Sequence, residues 1–259
     1  MSQTEAIVLP ETAFELSAHL SLADHEAAKW AWYEMAGAVL SHYVVDQQQR
    51  LARLLQWFYQ DLAFCARENY YSMEAADLGC CVISKQGNST TLATVLCLLA
   101  KQLDLKLDII LLPGSAVIVH HLTGKPQYIN PLNGELLSKH QMHVFIRGEL
   151  GNAAPFKQSY LKPVKPKRLI IRLLHELKAG AVVSQKFEVA LECCNLLLQW
   201  NEDDVHVKRE RAFIAQQLGC INIAVADLEF FIEHNPHDPM IELLKLQLKE
   251  LNSHHQTTH

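Results

Sequence analysis

Two residue types in this chain could do chemistry, and their spacing narrows what that chemistry would be. There are fourteen histidines and seven cysteines among 259 residues. Histidines that hold a catalytic metal commonly recur one helical turn apart beside a glutamate. The close pairs here are adjacent instead, His120-His121 and His254-His255, so no metal site is expected. The cysteines are odd in number, two of their pairs are adjacent (Cys80-Cys81 and Cys193-Cys194), and no Cys-x-x-Cys occurs. Free thiols in a reducing compartment are the economical reading, rather than zinc ligands or a disulfide framework. The glycines are scattered and form no phosphate-cradling loop, so no cofactor is expected either.

The bulk properties exclude further classes. Apolar residues make up 49% and charged residues 20% of the chain, which fits a packed globular protein and not a disordered one. The net charge of -5 gives no basic excess of the kind that coats nucleic acid. The most apolar stretch, Leu105–His121, is broken by Lys106, Asp108 and Pro113-Gly114, too short a run to cross a bilayer. Met1–Glu15 has no basic leader region and three glutamates, so a secretory signal is not expected and a cytoplasmic location is. Neither a membrane nor a nucleic acid is expected as a partner.

Helical periodicity runs from Leu22 to Ala66, with Asp46 placed to cap a second helix. The polar stretch Arg67–Ser72 reads as a connection. Ser89–Leu103 reads as a strongly buried helix, apolar at Leu92, Val95, Leu96 and Leu99. Cys97 lies two turns inside it, beyond the reach of the helix dipole, and reads as a core thiol. Alternation at Leu105–Ile109, β-branching at Ala116–Val119 and the run Gln127–Ile129 mark three strands, with a turn at Thr123–Pro126. A helix followed by antiparallel strands is an α+β arrangement. The aromatics Trp30, Trp32, Tyr33, Trp57, Phe58, Tyr59 and Phe64 read as core or interface packing at helical spacing.

Residues 156–168 carry Lys157, Lys162, Lys165, Lys167, Arg168 and two prolines without apolar period. They read as a solvated spacer, with an anionic docking patch as the alternative. Beyond it the helical pattern returns to Leu251 and repeats. Ala190, Asn201 and Asp204 recur as Ala224, Asn235 and Asp238, and Leu197 corresponds to Phe231, all at an offset of 34, the period of the tetratricopeptide helical hairpin. Gly219 sits at the inter-helix turn of the second unit and Pro236 after its second helix, whereas the first unit has Gln185 and Glu202 there. The expected organisation is a domain over 1–155, a linker over 156–168 and helical repeats over 169–252.

Four stretches in order, Lys85–Ala93, Leu112–Ser115, Tyr128–Glu135 and the repeat ending His234-Asn235-Pro236, resemble the bacterial transglutaminase-like family of the SirB-one type. That resemblance implies a papain-like core joined to a tetratricopeptide tail. In active members of such folds a cysteine opens a buried helix, a histidine follows on a strand and an aspartate or asparagine on the next. The helix terminus lowers the thiol pKa and offers backbone N–H groups to an oxyanion, and the third residue orients the imidazole. Carried over, the nucleophile position falls on Ser89, the base on Ser115 and the third position on Asn130. A serine without a base stays a protonated hydroxyl.

The resemblance therefore implies a pseudo-enzyme with no catalytic residues, only the remnant positions Ser89, Ser115 and Asn130. The expected function is a cytosolic interaction or regulatory adaptor for a protein or peptide, with Ala190, Leu197, Gly219, Ala224, Phe231 and Pro236 marking the binding repeat. The competing reading is a cryptic hydrolase or transamidase that uses Ser89 or Cys81 with a remote histidine such as His120, His140 or His143.

Overall fold

The computed structural model describes residues 11–20 and 22–257. The chain divides into two compact units, one over Ala6–Leu173 and the other from Leu174 onward. The first is α+β. Its helices are α1 (Glu11–His19), α2 (His25–Ala38), α3 (Gln47–Gln56), α4 (Met73–Ala76), α5 (Leu78–Ser84), α6 (Ser89–Gln102) and α7 (Lys139–Leu150). Short strands β1 (Cys65–Ala66) and β2 (Gln86–Gly87) pair in parallel. A four-stranded antiparallel meander follows: β3 (Asp108–Leu112), β4 (Ser115–His120), β5 (Gln127–Ile129) and β6 (Leu136–Leu137), paired in chain order.

Local chemistry sets these boundaries. Asp24 and Asp46 accept the backbone N–H groups of Ala27 and Gln49 and so cap α2 and α3. Ser138 and Gln141 close a capping box on α7. The α6 helix is buried almost throughout, from Ser89 through Val95 to Ala100. Arg50 is buried as well, and its guanidinium is satisfied by the carbonyls of Val44 (2.5 Å), Leu103 (2.6 Å) and Val45 (3.0 Å). That fork ties the start of α3 to the end of α6.

The first strand of the meander begins at Asp108, three residues after the start of the alternating run Leu105–Ile109. Leu105 and Leu107 are buried outside the ladder, and the continuous apolar segment Ile109–Leu112 pairs with β4 instead. A strand covered on both faces has no polar side to alternate with. Val117, Val119 and Tyr128 pack with Met142 and Ile146 of α7. Side chains at 116, 118 and 120 alternate to the other face, and α6 packs against β4.

Residues 156–168 are folded onto this unit. Phe156, Tyr160 and Leu161 pack against the α7 cluster, a single 3-10 turn spans Gln158–Leu161, and the Val164 N–H donates to the Ile109 carbonyl (2.8 Å) along the β3 edge. Of the aromatic stripe, Trp32, Trp57, Phe58 and Phe64 are buried, with Phe58 stacked on Phe64, whereas Trp30 and Tyr33 are exposed.

The helix α8 (Pro166–Val183) leads into the second unit, which continues with α9 (Phe187–Trp200), α10 (Val205–Gln217), α11 (Ile221–His234) and α12 (Ile241–Thr257). The α9 and α11 boundaries are offset by the same 34 residues as the sequence repeat, and the residues that precede them, Gln185 and Gly219, both take positive φ (56° and 70°). Arg211 grips Asp227 through two hydrogen bonds (2.6 and 2.9 Å) and reaches Asn195 at 3.1 Å, joining α9, α10 and α11.

Gly87, at the approach to α6, has no room for a side chain. A Cβ there would run into Thr91 Oγ1 and lie 2.9 Å from Cys81 Sγ, both buried. Gly87→Ala is expected to lower stability by about 1–3 kcal/mol, as overpacking does, read as a lower urea midpoint at unchanged slope. A neutral substitution would show that the α5–α6 junction is loosely packed.

Candidate functional site

The three remnant positions lie on neighbouring elements, but each is committed to local structure. Asn88 is the N-cap of α6, and its Oδ1 accepts the N–H groups of Thr90 (2.9 Å) and Thr91 (3.0 Å). Ser89 follows as the first helical residue and is 1% exposed. Its Oγ accepts the Ala116 N–H from β4 (3.0 Å) and the Tyr70 hydroxyl (2.8 Å). Its own N–H donates to Tyr70 Oη (3.1 Å). One phenol therefore occupies both the hydroxyl and the backbone N–H that a nucleophile position would turn toward a substrate carbonyl.

Ser115 donates its hydroxyl to the Ala116 carbonyl (3.2 Å). Strand alternation sets it on the face of Val117 and Val119, away from α6. Asn130 ends β5, and the ladder register, continued by one step, sets it across from Val117. Its Oδ1 accepts the Leu132 N–H (3.1 Å), and its carbonyl accepts the Gly134 N–H (2.8 Å), closing the Asn130–Gly134 turn. Tyr59 seats that turn: its hydroxyl donates to the Pro131 carbonyl (2.8 Å), and its ring lies where a Cβ on Gly134 would stand. No hydrogen bond joins Ser89, Ser115 and Asn130 among the described residues.

The histidines considered as substitute bases are placed elsewhere. His120 is buried four residues along β4 from Ala116, about 13 Å at strand rise. Burial, reinforced by His121, holds its pKa below the usual imidazole value. His143 bonds the Ala154 carbonyl through Nε2 (2.9 Å) and meets Phe156 edge to face. His140 is exposed on α7. The hydrogen-bond partners of Ser89 among the described residues are Tyr70 and Ala116, with no imidazole between them.

Five of the seven thiols move away from reactivity, while Cys65 is exposed on β1. Burial pushes Cys81, Cys193 and Cys194 up to about 12 and raises Cys80 and Cys97 still further. A thiol that titrates so high is protonated near neutral pH and is a poor nucleophile. Among the described residues no group of three or more histidines, cysteines or carboxylates is placed to hold a metal ion.

In the second unit the structure places the expected binding residues as follows. Ala190, Leu197, Ala224 and Phe231 are buried between the helices. Gly219 makes the left-handed turn, and Pro236 is exposed just after α11. Ala190, Leu197, Ala224 and Phe231 thus pack the hairpins together, while Gly219 and Pro236 are exposed at their ends. The open surface lies on the other side of the pairs. Val182 and Val183 of α8, Phe213 of α10 and Leu244 of α12 line an apolar groove of about 500 Å³, with Arg209 and the Lys178–Glu210 ion pair along it. Val183 is 76% exposed and Phe213 48%. Helical spacing carries this signal, because 179, 183 and 209, 213 are single turns of facing helices, but only the pairing of helices reveals it.

Sequence reasoning also missed Tyr70, which it assigned to a connection. Ser89→Ala removes the acceptor of a buried N–H and is expected to cost about 1–3 kcal/mol of stability. Tyr70→Phe should cost less, and the double variant less than the sum, with a coupling of at least about 0.5 kcal/mol in urea unfolding. Additive effects would contradict the Tyr70–Ser89 clasp.

Comparison with known proteins matches this arrangement in order. A model of the transglutaminase-like superfamily matches residues 22–175, and a tetratricopeptide-repeat model matches 177–249. The relatives include a UPF0162 protein of Vibrio cholerae, 34% identical over 215 residues (82% of this chain and 80% of the relative). Protein SirB1 of Salmonella typhimurium is 30% identical over 210 residues (80% and 78%), and UPF0162 protein YchA of Escherichia coli K12 is 31% identical over 214 residues (82% and 80%). No solved structure matches significantly. With an α+β unit whose buried helix, strand and turn stand in the family's order, and a helical-repeat unit behind it, the chain belongs to the transglutaminase-like superfamily, among the bacterial SirB1 and UPF0162 proteins.

Proposed function

We propose that this protein is a non-catalytic member of its family, a cytoplasmic adaptor that binds a protein or peptide through its helical repeats. The observation that carries the reading is the state of Ser89: its hydroxyl and N–H are both consumed by Tyr70 and Ala116, and no imidazole is bonded to it. General-base activation needs a base within hydrogen-bond reach of the nucleophile. A cysteine route finds no support either, since Cys81 is buried and its thiol is pushed up to about 12.

The repeat unit supplies the surface such a role needs. Its apolar groove lies between α8, α10 and α12 and carries exposed Val183 and Phe213. An amphipathic helix laid between them would bury that apolar area through side chains spaced at one turn. Repeats that expose a continuous concave face are commonly binding surfaces. No helix among the described residues is long and apolar enough to cross a membrane, which agrees with a cytoplasmic role.

The test is a photo-crosslinking residue at Phe213 in the full chain, irradiated in cells. The adaptor reading expects one discrete adduct that persists with Ser89→Ala and falls at least about tenfold with Val183→Asp, the scale of one buried interface contact. An adduct that depends on Ser89, or release of an acyl product that Ser89→Ala abolishes, would overturn it.

A further inference from the structure

The densest run of positive charge in the sequence is used by neither surface described above. Between Gly151 and His175 there is no aspartate or glutamate, while Lys157, Lys162, Lys165, Lys167, Arg168 and Arg172 fall there, in a chain whose net charge is -5. The segment is not a loose spacer. Phe156, Tyr160 and Leu161 pack against the core, and Val164 is bonded to β3, so its backbone is held in place. Three of its cations rim a pocket of about 460 Å³ whose walls include Leu111, Ser159, Tyr160, Lys162, Lys165 and Arg168. That volume is within the range of small-ligand sites. Lys162, Lys165 and Arg168 have no carboxylate partner among the described residues.

Three features make this a site for one kind of ligand. Three cations, Lys162 and Lys165 before α8 and Arg168 in its first turn, line the one pocket, and the planar fork of Arg168 suits a phosphate group. The Ile109 carbonyl points out of the sheet to Val164, and the backbone groups of alternate residues in a strand point the same way. The Leu111 N–H therefore points to the same sheet edge, and Leu111 is one of the pocket's lining residues. The remaining walls, Leu111 and Tyr160, are apolar and aromatic and offer a surface to a flat body. Asp108, the acid on β3, stands opposite Val119 and alternates with Ile110 and Leu112 on the α7 face; it forms no ion pair with these cations among the described residues.

We infer that the pocket between the β3 edge and the start of α8 binds a nucleoside di- or triphosphate, its phosphates on Lys162, Lys165 and Arg168 and its base against Tyr160 and Leu111. The site is independent of the groove in the repeat unit, so either can fail without the other.

The experiment is equilibrium dialysis of the full chain against ATP, GTP, CTP and UTP in turn, with tripolyphosphate, adenosine and single-stranded RNA as comparison arms. At least one nucleotide should bind at one equivalent, more tightly than tripolyphosphate and than adenosine. Arg168→Ala and Lys165→Ala should each weaken it about tenfold, as loss of a charge-assisted contact does, with thermal unfolding unchanged. Tyr160 is part of the core, so Leu111→Lys serves as the check on the base wall and should abolish the preference over tripolyphosphate. No saturable binding of any nucleotide would overturn the inference. So would equal binding of tripolyphosphate, binding that survives both cation variants, or retention on RNA tighter than any mononucleotide.

Discussion

The α+β unit depends on how the first turn of α6 is fastened to β4. The Ser89 hydroxyl takes the Ala116 N–H, Tyr70 bonds to the same serine twice, and Asn88 satisfies the two N–H groups that follow. These groups are buried, so each would carry a desolvation cost if left unpaired. Fastened in this way, α6 sets the position of the meander on one side and of α4, α5 and the Gly87 approach on the other. The Asn88 N–H and the Thr91 hydroxyl both end on the Ala75 carbonyl.

The same fastening is what supports the proposed non-catalytic reading. An acyl-transfer site keeps an activated nucleophile and a free backbone N–H pointing at the substrate. In this chain both groups are spent inside the fold, the base position carries a serine bonded to its neighbour, and the third position closes a turn that Tyr59 seats. The polar groups at the start of α6, on β4 and in the Asn130–Gly134 turn hold those elements together. We therefore regard the retained geometry as a scaffold, with recognition assigned to the groove of the repeat unit and to the cationic pocket at β3.

Much of this was legible in the residues alone. The buried helix from Ser89 was marked by its cap and apolar positions, and the repeat by a period that reappears in the limits of α9 and α11 and in the left-handed turns at Gln185 and Gly219. Short elements were not legible. α4, β1, β2 and β6 have two to four residues, fewer than one period of any pattern. The β3 segment was displaced because a strand buried on both faces does not alternate. The 156–168 stretch was read by its lysines, while Phe156, Tyr160 and Leu161 between them were anchoring it. Tyr70 was invisible for a different reason: its partner lies nineteen residues away across a fold boundary. The conspicuous repeat positions Ala224 and Phe231 are packing positions, which the period alone does not distinguish from a binding face.

The central claim is that Ser89 is a structural hydroxyl, and its reactivity tests that directly. The full chain would be incubated with a fluorophosphonate near neutral pH and the modified peptides located by mass spectrometry, with a urea-unfolded sample as reference. The account expects Ser89 to be no more modified in the folded chain than in the unfolded one, because neither state supplies a base. Stoichiometric labelling of Ser89 in the folded chain, lost on unfolding, would contradict it and restore an enzyme.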